Sequence, residues 1–75
     1  MKVKLKDDEI QYQLARKNMT QDLLAQRLGI TTGYMSQIMC GVRNPSPRLR
    51  EKIMQQFPEC DFDELFDIKT TKNES

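Results

Sequence analysis

Residues Gln21 to Cys40 read QDLLAQRLGITTGYMSQIMC, and their punctuation decides the fold. Thr20 is a good N-cap for a helix from Gln21 to Leu28, with Leu23, Leu24, Ala25 and Leu28 as its apolar residues. Gly29 follows where a helix most often ends in a left-handed residue. Thr31 can then cap a third helix, from about Thr32 to Cys40, whose apolar face is Met35, Ile38 and Met39. The link Gly29-Ile30-Thr31 is too tight for an antiparallel hairpin of helices. A glycine C-cap followed at once by a new N-cap forces a sharp change of axis, the geometry of a helix-turn-helix. Ala25 is small where the two helices must approach. Thr32, Gly33, Ser36 and Gln37 leave the other face of the third helix polar, small and uncharged. A helix that enters the major groove needs such a face, short enough for close approach and able to hydrogen-bond base edges.

Working outward, Asp7-Asp8-Glu9 supplies negative charge to the first turn of a helix that carries Ile10 and Leu14 on one side and ends near Asn18. Residues 1–5 alternate basic and apolar and read as an extended arm. Gly41 stops the third helix, and Val42 to Pro45 form a loop with Arg43 and Asn44. Ser46-Pro47 is a strong helix start, and Leu49, Ile53 and Phe57 recur every fourth residue behind it. Pro58 ends that helix. Asp61-Phe62-Asp63-Glu64 reads as a capping box that opens a fifth, short helix with Phe62, Leu65 and Phe66. Those phenylalanines close the core or, alternatively, form a dimer contact. Arg48, Arg50 and Lys52 are either a DNA-facing patch or a solvated face of the fourth helix. No stretch reads as a strand, so the expected class is all-α: an arm at 1–5, a compact five-helix domain at 6–68 and a flexible polar tail at 69–75.

Composition narrows the function classes. At 75 residues the chain is one small domain, and it leaves no room for a separate effector-sensing domain. The longest apolar runs are two or three residues, far short of the ~20 that a membrane span needs, and the basic start lacks the apolar stretch of a secretory signal. There is no histidine, and Cys40 and Cys60 form no Cys-x-x-Cys pair, so no metal site is expected. Both cysteines read as small buried or half-buried apolar residues in a reducing cytoplasm. Net charge is only +1, yet it is unevenly spread. Residues 1–58 hold ten Lys/Arg against five Asp/Glu, whereas residues 59–75 hold two against six. That asymmetry points to a polyanionic partner. An enzyme is not expected: there is no activated nucleophile pattern and no phosphate loop, and Asp61 and Glu64 are explained by capping. No cofactor is implied.

The run from Met19 to Pro45 resembles the Cro/repressor-type, or xenobiotic-response-element, family of helix-turn-helix domains. Thr20-Gln21, Leu24-Ala25, Leu28-Gly29-Ile30, Ser36, Ile38, Gly41 and Pro45 stand where that family's pattern places such residues. The resemblance implies roles. Gln21, at the start of the second helix, would bond a phosphate. Thr32, Gly33 and Gln37 would face base edges, flanked by Thr31, Tyr34 and Ser36. Arg43 and Asn44 would grip the backbone beyond the recognition helix. Gln37 can bond adenine through two atoms, so at least one A·T pair is expected in the site. The function implied is a sequence-specific, double-stranded-DNA-binding transcriptional regulator, a cytoplasmic repressor that binds its operator as a homodimer. The alternative is an antitoxin-like interaction module that also binds operator DNA and grips a protein partner through its tail or its Phe62–Phe66 face.

The sequence departs from the family at several points. Many members pair an arginine on the first helix with a glutamate near the end of the third. Here Leu14 and Met39 stand at those positions, which suggests that an apolar contact replaces the ion pair. Gly33 sits where a longer contact residue is common, which shifts specificity toward Thr32, Gln37 and DNA shape.

Overall fold

The computed structural model describes residues Lys2 to Lys69; Met1 of the expected arm and residues 70–75 of the expected tail lie outside them. The elements run β1 (Lys2–Leu5), α1 (Asp7–Arg16), α2 (Gln21–Leu28), α3 (Thr32–Met39), α4 (Pro47–Gln56), α5 (Phe62–Leu65) and β2 (Phe66–Lys69). Each helix boundary has a local cause. The α1 helix carries three acidic residues in its first turn and Arg16 in its last, matching the helix dipole at both ends. Asn18, at φ 56°, turns the chain out of it, and the Met19 N–H donates to the Leu14 carbonyl at 2.9 Å. The Ser46 hydroxyl accepts from the Leu49 N–H at 3.2 Å, with Pro47 in the first helical position. Glu64 reaches back to accept from the Asp61 N–H at 2.7 Å, half of a capping box.

One core runs through all of these elements. Ile10 and Leu14 from α1, Leu24, Ala25 and Leu28 from α2, Met35, Ile38 and Met39 from α3, Ile53 from α4, then Phe57 and Leu65, are buried together. The expected exchange of an ion pair for Leu14 and Met39 thus places two apolar side chains in the same interior. Met54 and Phe62 are half-buried against it. At the surface beside Phe57, Lys17 pairs with Glu59 at 3.0 Å.

The strand pair corrects the all-α expectation. β1 and β2 pair antiparallel, with Val3 opposite Ile68 and Leu5 opposite Phe66. Lys2 to Leu5 of the extended arm are therefore a paired strand, and Lys69, assigned to the tail, is the last residue of its partner. Val3 and Leu5 point into the core, whereas Lys2 is exposed and Lys4 half-exposed. Phe66, placed on the fifth helix by sequence, instead opens β2 and is buried, its ring 4.8 Å from that of Phe62. Cys40 is a second correction. It caps α3 on the exposed side, and only Cys60 is buried; both are free thiols. Burial pushes the Cys60 thiol above its ordinary range, the opposite of what a nucleophile needs.

Because Val3 belongs to the core, Val3→Ala is expected to lower stability by about 1–2 kcal/mol in urea unfolding. A free arm would leave the midpoint unchanged.

Candidate nucleic-acid interface

The turn between α2 and α3 is built as its residue types require. Thr20 accepts from the Leu23 N–H at 3.1 Å and Thr31 from the Tyr34 N–H at 3.1 Å. Between them Gly29 adopts φ 76°, and the Ile30 N–H returns to the Ala25 carbonyl at 3.0 Å. Only three residues thus separate the end of α2 from the start of α3, and the two helices do not merge. Buried Met35, Ile38 and Met39 fix the rotation of α3. Thr32, Gly33, Ser36 and Gln37 consequently project outward, along with the N-cap Thr31, and all five are exposed. Tyr34 is half-buried between the two faces.

Two polar groupings organise this ridge. The Gln21 amide, at the N-terminus of α2, donates to the Ser36 hydroxyl at 3.4 Å. Gln21 in turn accepts from the Gln11 amide of α1 at 3.4 Å. Beyond the other end of α3, Gly41 at φ 82° folds the loop back, so that the N–H groups of Val42 and Arg43 both donate to the Gln37 carbonyl, at 3.0 and 3.2 Å. That fold places Arg43 over the α3 surface. Its guanidinium stacks on the Tyr34 ring, 5.3 Å from the centroid, and its Nε donates to the Gln37 side-chain oxygen at 3.0 Å. Tyr34, Gln37 and Arg43 are one cluster. Asn44 is exposed beside it, on the same loop.

A family model described as Helix-turn-helix matches residues 10–65, well over half of the chain. The chain belongs to the Cro/repressor-type helix-turn-helix family. The role of this helix-turn-helix domain at family level is DNA-binding regulation of transcription, not catalysis. The match leaves out β1 and β2, so the strand pair is an addition around the helix-turn-helix core. No curated protein and no solved structure matches the chain significantly. No helix among the described residues is long and apolar enough to cross a membrane.

Two residues near the helix-turn-helix ridge escaped the sequence reading. Gln11 sits on α1 and meets Gln21 only through the packing of the helices, so no local spacing announces it. Lys4 extends from β1 toward Gly41, where a β-carbon would stand 3.5 Å from its Nζ. Its cation thereby sits at the C-terminus of α3, which has no basic residue of its own in its last turn. The alternation of residues 1–5 was legible, but not the partner strand that aims Lys4.

The two glycines of the turn region should respond oppositely to alanine. At Gly29 an added β-carbon meets nothing, so only the left-handed backbone matters, and Gly29→Ala should cost about 1–2 kcal/mol. At Gly33 the added carbon also meets nothing and the backbone is helical, so Gly33→Ala should gain up to about 1 kcal/mol. Paired thermal or urea unfolding curves check both signs.

Proposed function

We propose that this domain is a sequence-specific repressor that docks α3 in the major groove of operator DNA as a homodimer in the cytoplasm. The observation that carries the reading is the division of α3. Its apolar side chains are buried, while short polar ones stand in a solvent-facing row from Thr31 to Gln37. Thr32 and Gln37 would read base edges, and the bare backbone at Gly33 would admit close approach. Gln21 would bond a phosphate with the help of the α2 N-terminus. Arg43 and Asn44 would hold the backbone on the other side.

The Arg43–Gln37 bond bears on readout. The Gln37 side-chain oxygen has two acceptor sites, and Arg43 uses one. The second site and the amide hydrogens remain for the N6 and N7 edge of adenine. Arg43 would then hold Gln37 in place before DNA arrives, so that less freedom is lost on binding. In a two-fold dimer the two α3 helices would enter successive major grooves about 34 Å apart.

Selection of bound duplexes from random sequence, followed by salt titration, tests this reading. A pseudo-palindromic consensus is expected, with log affinity falling by about 0.9 per phosphate contact for each log unit of salt. Absence of enrichment, or an affinity indifferent to salt, would refute it. The antitoxin-like alternative gains nothing from the Phe62–Phe66 face, because Phe66 is interior and Phe62 is half-buried against it.

A further inference from the structure

Behind the recognition helix lies a cavity of about 190 Å³, open to solvent on one side. Leu28 from the end of α2, Ile30 from the turn, Tyr34 from α3 and Leu49 from α4 give it apolar walls, and the exposed Arg48 and Lys52 line it too. These cations run against local helix physics. Arg48 lies in the first turn of α4, where the dipole disfavours positive charge, and that turn has no acidic residue. Lys52 is one turn further on, a like charge on the same helix face. Neither pairs with a carboxylate among the described residues. A local rule broken without structural compensation marks a functional position more often than a structural one.

We propose that this cavity is a ligand site for a small amphipathic anion: a ring or branched chain seated on Leu28, Ile30, Tyr34 and Leu49, its carboxylate held by Arg48 and Lys52. Its volume is below the ~300–1,000 Å³ of drug-sized sites, which limits the apolar part to about one ring. Bare phosphate satisfies the cations but leaves the apolar walls wet. An uncharged ring fills the walls but leaves two like charges unpaired.

The site also has a route to the DNA-facing ridge. Tyr34 lines the cavity and carries Arg43 on its ring, and Arg43 bonds Gln37. A ligand would therefore bear on the residue assigned to base reading, and would neutralise the positive charge of Arg48 and Lys52 at the cavity. The expected consequence is weaker DNA binding. This coupling rests on the proposed DNA reading, whereas ligand binding itself does not.

The test is a ¹⁵N NMR titration of the DNA-free protein with 3-phenylpropionate, 3-phenylpropionamide and inorganic phosphate in parallel. The carboxylate is expected to shift the amides of Gly29, Ile30, Tyr34 and Leu49 saturably, with a Kd on the order of 1 mM. The amide should bind at least about fivefold more weakly. An Arg48→Ala/Lys52→Ala double variant, altered only at exposed positions, should abolish the preference for the carboxylate. The proposal is overturned if no saturable shift appears at these amides, if the amide binds equally well, or if phosphate alone shifts them as strongly. With a selected duplex present, the carboxylate should raise the DNA Kd of the wild type but not of the double variant. If the carboxylate binds free protein as expected and no duplex is ever selected, the DNA reading fails while the ligand site stands.

Discussion

Ile38→Ala is expected to destabilise the domain by about 2–5 kcal/mol, the transfer cost of the lost methyl groups plus that of the cavity left behind. Ile38 is fully buried, on the inward side of α3 and next in sequence to exposed Gln37. A domain of this size has on the order of 5–10 kcal/mol of stability in all, so this one substitution removes a large share. In urea the midpoint should fall with the slope unchanged. Ser36→Ala, two positions earlier on the outward side, should stay within about 0.5 kcal/mol. The contrast fixes the rotation of α3 from thermodynamics alone. Equal effects at the two positions would mean that the helix is turned differently.

The second large effect is on specificity. Gln37→Ala is expected to relax discrimination at one A·T pair by about 1–3 kcal/mol, roughly five- to 150-fold in relative affinity. It should leave stability nearly unchanged, since Gln37 is exposed. Arg43→Ala should behave differently. On the proposed reading it would remove a phosphate contact, so it should weaken binding to all sequences alike and lower the salt slope by about one. Because Arg43 also holds the Gln37 oxygen at 3.0 Å, some loss of base discrimination should accompany it. Competition binding on the selected duplex and on variants with the A·T pair exchanged separates the two signatures. Uniform weakening by Gln37→Ala would show that it does not read a base.

The helices were legible because their signals are local. Thr20, Thr31 and Ser46 cap helices through hydroxyls that accept from a backbone N–H three residues on, and Gly29 and Gly41 turn the chain at positive φ. Such devices act within one turn, so sequence shows them directly. The burial of Leu24, Met35 and Ile38 follows from helical spacing. The strand pair was not legible for the opposite reason. Each strand has four residues, and their partners stand at opposite ends of the chain, so no hairpin turn signals the pairing. Phe66 shows the same limit: its spacing fits a helix face, but it is the first residue of β2, held by Leu5 across the ladder. At the candidate interface the exposed row of Thr32, Gly33, Ser36 and Gln37 is legible from helical spacing. The Tyr34–Arg43–Gln37 cluster is not, because it depends on how Gly41 folds the loop back over α3. Cys40 departs from expectation because the residue type favours burial, while its place as the cap of α3 puts it outside.

The central claim is that the outward row of α3 meets the duplex. A ¹⁵N NMR titration of the protein with its selected duplex, in slow or fast exchange, reports contact residue by residue. Shifts should gather on Gln21, on Thr31 to Gln37 and on Arg43 and Asn44, and spare the outer surfaces of α5 and β2. Unmoved α3 amides, with the shifts collected elsewhere on a protein that still binds the DNA, would contradict the account.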